Sequence, residues 1–309
     1  MRTFILKRAL SFIPAMLLFY TIIFTLIHLT PGNPWDNIDK PFRPEVLANL
    51  EAKYDLDDPV WKQYVDYLEG IVLHFDFGPS YKSNLDANGV VSHFFPVSLK
   101  LGLVAFVIAV TVGITLGVVS AIRQNGFIDH LAMLFSVVGV ATPSFVVITL
   151  MVIVLGVNWG ILPVFGWEGI FSQKIIIPAI ALSLSPMSLI ARYTRAAMLE
   201  TIRADYVRTA RAKGLAESRV MLRHALPNAL IPVITISGLA LANLITGSFF
   251  IEAIYGVPGI GRYFVTTISD KDYPVLMAVT LLYAALIWLV NFLADICYAM
   301  IDPRIRLSS

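Results

Sequence analysis

Six stretches of this chain stay apolar for about as long as a bilayer is thick, and that feature governs almost everything else. They cover roughly residues 9–29, 97–122, 128–157, 175–199, 226–251 and 275–299. A hydrocarbon core of about 30 Å asks for ~20 mainly apolar residues in a row. Inside it every backbone amide must bond within its own segment, so each stretch is predicted to be a helix. The fold class expected is therefore all-α, a polytopic membrane protein with six transmembrane helices. Composition agrees: 57% of the 309 residues are hydrophobic and 14% charged, against roughly 25% charged in a soluble domain. The long third stretch contains Pro143, and the fourth contains Pro178 and Pro186. Each removes a helical hydrogen bond, which neighbouring helices can re-satisfy, so kinked spans are expected there.

Charge separates the connections. Arg2, Lys7 and Arg8 precede the first stretch, Arg123 sits between the second and third, and Arg304 and Arg306 close the chain. The connection 192–225 carries Arg192, Arg195, Arg203, Arg208, Arg211, Lys213, Arg219 and Arg223 against three acids. The first loop, about 31–96, has eleven Asp or Glu against five Lys or Arg. This alternation predicts both termini in the cytoplasm. Lys7 and Arg8 before an apolar run could suggest a signal peptide, but no small-x-small cleavage pattern ends it, so a retained first helix is expected. The first loop is rich in Trp35, Trp61, Tyr54, Tyr64, Tyr67 and Phe75, and Val46, Leu47, Leu50 and Tyr54 have helical spacing. A small, partly helical external cap is expected there. Two parts follow: 1–96, the first span with its external loop, and 97–309, the transmembrane core with a cytoplasmic segment at 203–226.

Reactive chemistry is sparse. The single cysteine, Cys297, permits no intrachain disulfide and reads as a small buried hydrophobe. His28, His74, His93, His130 and His224 are scattered, with no pair at helical ligand spacing, so no metal site is assigned. Gly256-Val-Pro-Gly-Ile-Gly261 lacks the lysine and the strand of a phosphate-binding loop and reads as a turn. Asp295 is the clearest acid in an apolar helix, expected to pair with Arg304 at the cytoplasmic boundary.

The segment 203–226 is the informative one. Taken as a helix, Arg203 to Gly214 puts Ala204, Val207 and Ala210 on one small-residue face, which a partner's groove could approach closely. Arg208, Arg211 and Lys213 then point largely elsewhere, and Gly214 fits a left-handed C-terminal cap. A second short helix is expected over 218–226, with Pro227 at the entry of the next span. Charge alone favours a basic loop that only fixes topology or touches anionic lipid.

Thr209-Ala210, Gly214 and, nine residues on, His224-Ala-Leu226-Pro227 resemble the cytoplasmic signature of bacterial ABC importer permeases. That signature has Glu-Ala-Ala, three residues, Gly, nine residues and Ile-x-Leu-Pro; here Arg208, Thr209 and His224 depart from it. Further matches run along the chain: His28-Leu-Thr-Pro-Gly-Asn-Pro34, Thr142-Pro-Ser-Phe145, Gly160-Ile-Leu-Pro163, Phe250 to Gly261, Asp272-Tyr-Pro274 and Asp302-Pro-Arg-Ile-Arg306. The ordered series is similar to the dipeptide, oligopeptide and nickel branch, and the long acidic first loop resembles its B-type membrane subunit.

The resemblance implies a type I ABC importer permease fold and a subunit with no catalysis of its own. It implies a cell-membrane complex with a second homologous permease, two cytoplasmic ATPase subunits that bind ATP and Mg, an extracytoplasmic solute-binding protein and membrane lipid, and no nucleic acid. The ATPases would act on Arg208, Thr209, Ala210, Arg211, Ala212, Lys213, Gly214, Leu215, His224, Leu226 and Pro227. Glu252, Pro258, Gly259 and Gly261 become candidates for an external gate or a binding-protein contact, although Glu252 could simply lie at the membrane interface. Asn243, Thr246, Ser248, Phe249 and Phe250 are candidate pathway-lining residues, with helix packing as the rival reading. Peptides are the expected cargo, with nickel chelates, glutathione or oligosaccharides as alternatives. A gradient-driven transporter would instead show mid-membrane carboxylates or paired broken helices, and a membrane enzyme some catalytic constellation.

Overall fold

The computed structural model describes residues 2–30, 35, 56–83 and 85–301, and the side chains at 2–4, 294–295 and 297–301 lie outside that description. The expectations for Val46 to Tyr54, Asp295 with Arg304, and Cys297 fall on these excluded positions. The described chain is helical, with one isolated bridge between Pro79 and Asp86. Five helical stretches are long and apolar enough to cross a membrane: Ile5–Leu29, Ala87–Ile122, Gln173–Ile202, Glu217–Ile245 and Tyr273–Leu293. A sixth is formed if Phe127–Ala141 and Ser144–Asn158 count as one bent span.

The elements, in order, are α1 (Arg2–Leu10), α2 (Phe12–Leu29), α3 (Val60–Glu69), α4 (Ala87–Ile122), α5 (Phe127–Ala141), α6 (Ser144–Met151) and α7 (Ile176–Ile202). They continue with α8 (Asp205–Ala212), α9 (Leu226–Ile245), α10 (Phe249–Tyr255), α11 (Ile260–Asp270) and α12 (Tyr273–Ile301). Contacts divide them into two compact units, one of Val97–Pro258 with the chain from Leu289 on, the other of Arg2–Pro96 with Gly259–Trp288.

Three boundaries differ from the sequence expectation. The third stretch is not one kinked helix, because its axis turns by 109° between α5 and α6. Thr142 (φ −86°, ψ 123°) and Pro143 (φ −60°, ψ 140°) are both extended, and two consecutive non-helical residues let the axis swing. A proline disfavours helical geometry in the residue before it, which accounts for Thr142. Pro178 and Pro186 leave α7 intact; Pro178 falls in the first turn, where its missing amide has no helical acceptor. The second stretch starts ten residues early, at Ala87, and accommodates Pro96. The fifth stops at Ile245 instead of 251, because Gly247 takes φ +80° and Ser248 opens α10, its hydroxyl accepting from the Ile251 amide.

In the first unit the helices meet through small residues. A β-carbon at Gly113 would stand 2.7 Å from the Met187 carbonyl oxygen, and one at Gly117 2.6 Å from that of Ala191, so α4 and α7 touch backbone to backbone. Gly102 lies equally close to Leu244 of α9, and Gly139 of α5 to Ser188 of α7. Small residues are the common means of close helix approach where lipid removes the hydrophobic driving force. Beside these crossings Leu101, Ile148, Ile177, Ile251 and Tyr255 form a buried cluster.

In the second unit α2 packs on α12 through Tyr20, Ile23, Phe24 and Ile27 against Met277 and Leu281. The expected partly helical loop supplies α3 and a wide turn over Gly70–His74; Tyr64 of α3 lies against Tyr20, ring centres 5.0 Å apart. Asp272 is buried, accepts from the Ser80 hydroxyl and the Tyr81 amide, and ties the 80–83 loop to the start of α12. Burial raises its carboxyl above the ordinary value, although those bonds oppose the shift.

Candidate functional site: a docking helix and the helices that carry it

α7 ends at Ile202, Arg203 keeps near-helical dihedrals, Ala204 alone is extended, and α8 begins at Asp205. The α8 helix closes on Gly214 at φ +75°, whose amide donates to the Arg211 carbonyl at 2.9 Å. The left-handed turn is as expected and suits glycine, which has no β-carbon to clash. Arg211 then reaches over the turn to Glu217, with two bonds of 3.1 and 2.7 Å. That carboxylate holds the Arg211 guanidinium protonated still more firmly than usual.

The small face of α8 corrects the sequence reading. Val207 is 0% exposed and Ala210 4%, and both pack on this chain's own Met198, Val220, Met221 and Ala225. A wide π-type turn over Val220–Ala225 brings that second wall up to α8. The small residues therefore seat the helix, and the surface offered outward consists of Asp205, Tyr206, Arg208, Thr209, Arg211, Ala212, Lys213 and Gly214, with Arg208 3.6 Å from the Asp205 carboxylate. Leu215 and Leu226 pack at the edge of the cluster, and Pro227 is exposed in the first turn of α9. Half-buried His224 gives its carbonyl to Asn228 at 3.2 Å, and Asn228 also donates to the Tyr206 hydroxyl at 3.0 Å.

One clamp near this helix escaped sequence reading. Asp129, in the first turn of α5, is 2% exposed and receives the Arg195 guanidinium in a two-pronged pair, Nε–Oδ1 2.6 Å and Nη2–Oδ2 2.7 Å. The Ser120 hydroxyl and the Asn125 amide also donate to it, the latter at 2.9 Å. The pair joins the end of α4, the start of α5 and the last third of α7, one turn before Met198 of the cluster that seats α8. In the sequence Arg195 was one more topogenic charge. The usable signal was an acid, Asp129, at the mouth of an apolar run, with an arginine on a later span to answer it.

The external candidates are distributed differently from the sequence picture. Glu252 is 0% exposed and sits within α10, accepting from the Ser98 hydroxyl at 2.7 Å, so it is not presented at the surface. Gly247 stands against it, since a β-carbon there would come 2.4 Å from Oε1. Tyr255 donates to the Pro163 carbonyl at 2.6 Å and fastens α10 to the 159–166 turn. Pro258 is exposed and closes the first unit; Gly259 and Gly261 are buried at the start of α11 in the second.

Of the five pathway candidates, Asn243 and Ser248 line a cleft of about 560 Å³ between α7 and α9. Thr246 bonds the Asn243 carbonyl, and Phe249 and Phe250 lie outside the cleft, with Phe250 against Phe145. Among the described residues no three His, Cys, Asp or Glu side chains gather as a metal site.

A bent, small-residue helical core with a basic helix seated at one end of it invites comparison with known transporters. The family described as binding-protein-dependent transport system inner membrane component matches residues 113–307, and its N-terminal companion matches residues 1–101. This chain belongs to that family. The inner membrane component is 45% identical over 307 residues to the oligopeptide transport system permease protein OppB of Salmonella typhimurium, covering 99% of this chain and 100% of that one. It is 42% identical over 308 residues to the dipeptide transport system permease protein DppB of Bacillus subtilis, covering 99% of each. Its fold is that of solved ABC transporters: an amino acid ABC transporter matches with TM-score 0.52 at 17% identity, over 69% of this chain and 98% of that one. An inward-facing methionine ABC transporter matches with TM-score 0.53 at 19% identity, over 68% and 95%. The inner membrane component is thus a multi-pass membrane subunit of a binding-protein-dependent transporter, and the gradient-driven alternative falls away.

Proposed function

We propose that this chain is one of two homologous membrane subunits of an ATP-driven peptide importer, with both termini and α8 in the cytoplasm. Two ATPase subunits, which hold the ATP and Mg, dock on the outward face of α8. A solute-binding protein delivers peptide from the other side, and lipid surrounds the spans. The observation that carries the reading is α8 itself, a short helix whose apolar face is filled by its own chain while Arg208, Arg211 and Lys213 are left at the surface. Such a helix is a rigid cationic knob fixed to the end of α7, suited to an acidic-rimmed groove on a partner that pushes and pulls. Full-length likeness to oligopeptide and dipeptide permeases supports peptide as the cargo.

The test is ATP-driven uptake of a labelled tripeptide into proteoliposomes holding the co-purified complex. Gly214→Pro removes the 2.9 Å amide bond and cannot adopt φ +75°; Lys213→Glu reverses a surface charge. Each is expected to lower uptake about tenfold, the equivalent of about 1.4 kcal/mol of docking free energy, with membrane insertion unchanged. Wild-type uptake in both variants refutes the docking assignment.

A further inference from the structure

The cleft between α7 and α9 belongs entirely to one unit, and its lining has an unusual chemical bias. Its walls are Leu182, Ser185, Pro186, Leu189 and Tyr193 of α7, facing residues between Ile236 and Ser248 that include Asn243. None of its lining residues is Asp, Glu, Lys, Arg or His. The buried acid Glu252 stands behind Gly247, outside the lining, its carboxylate engaged by Ser98. Yet the cleft is not simply greasy. Ser185 and Tyr193 are hydroxyl-bearing residues of one wall, and Asn243 and Ser248 carry a carboxamide and a hydroxyl on the other, the Ser248 hydroxyl keeping its proton to donate while it accepts from the Ile251 amide. Pro186 has no amide hydrogen to give the Leu182 carbonyl one turn back, so that oxygen lacks its usual helical donor.

We propose that this cleft is a contact site for the main chain of the transported peptide, gripped chiefly by Asn243 and Ser248 across from Ser185 and Tyr193. The inference rests on the peptide-importer reading and names what the site reads. A peptide crossing the membrane carries one donor and one acceptor per residue, and stripping their water without replacement costs several kcal/mol each. A carboxamide supplies both complements at once. An uncharged wall adds no field that would favour one cargo side chain over another, so it holds the part common to all peptides. The other cargo classes fit it poorly: an anionic metal chelate calls for a cation, and an oligosaccharide for aromatic faces, of which the lining has one. At about 560 Å³ the cleft is within the range of small-molecule sites.

The test is to put charge on the wall of the full complex in proteoliposomes. Uptake of trialanine is compared with that of Ala-Lys-Ala and Ala-Glu-Ala in wild type, in Asn243→Asp and, on the facing helix, in Ser185→Asp. Wild type should carry all three peptides at rates within a few-fold of each other. In either aspartate variant, uptake of Ala-Glu-Ala should fall at least about tenfold relative to trialanine, while Ala-Lys-Ala does not fall. Asn243→Ser, which keeps the wall neutral, should leave the ratios as they were. Equal slowing of all three peptides by the aspartate variants, or no slowing, overturns the cleft assignment and leaves the importer reading standing. A wild-type complex that hydrolyses ATP and carries none of the three overturns the peptide reading, and the cleft's cargo with it.

Discussion

Replacing Asp129 with alanine tests how the end of α7 that carries α8 is held. The carboxylate is buried at 2% exposure and accepts four hydrogen bonds, two from Arg195 and one each from Ser120 and Asn125. Removing one partner of a buried ion pair costs about 3–5 kcal/mol, mostly because the other charge is left behind. Arg195 retains some exposure, so its stranded guanidinium can recover part of its hydration, and about 2–4 kcal/mol is the figure expected. For a chain of 309 residues that corresponds to a fall of roughly 3–6 °C in melting temperature. The measurement is thermal unfolding of the detergent-solubilised complex, followed by loss of a monodisperse peak. Amide exchange over Thr194–Ile202 should rise in step, since Arg195 anchors that end of α7. The double exchange Asp129→Arg with Arg195→Asp should recover part of the loss by re-forming a pair of opposite sense. A single variant melting within 2 °C of wild type would show that the pair contributes nothing to holding α4, α5 and α7 together.

Two further substitutions probe places where a side chain has no room. Gly117→Leu should wedge α4 from α7 at the Ala191 carbonyl and lower the yield of folded complex in membranes, read by quantitative blotting; normal yield would refute the close approach. Gly247→Ala combines a left-handed backbone, about 1–2 kcal/mol, with a β-carbon 2.4 Å from Glu252. It should destabilise the complex by a few degrees, and Gly247→Asn, which tolerates that backbone better, should not relieve the contact with Glu252. An alanine variant as stable as wild type would refute both terms.

Much of this architecture was legible from the sequence because lipid leaves so few options: apolar length gave the spans, and the Gly214 turn followed from one glycine after a short helix. What failed did so for identifiable reasons. Periodicity put Val207 and Ala210 on one face of α8, but it cannot name the neighbour on that face, and the chain's own Val220, Met221 and Ala225 took it. Hydropathy runs smoothly through Thr142-Pro143 and through Gly247, so a window of apolar residues missed a 109° turn and the early end of α9. Glu252 read as a gate, a binding-protein contact or an interface acid because its partner, Ser98, is 154 residues away, and Asp129 with Arg195 was passed over because the two lie 66 residues apart.

The glycine crossings have a mechanical consequence. Where α4 meets α7 at Gly113 and Gly117, it bears on the Met187 and Ala191 carbonyls and on the β-carbons of Ile190 and Thr194, atoms that no rotamer change moves. A side chain under load can yield by hopping to another rotamer, and the energy of the push is lost in that rearrangement. A peptide plane has no rotamers. A displacement of α7 at this crossing therefore passes to α4 with little slack, as through a keyed shaft instead of a rubber coupling.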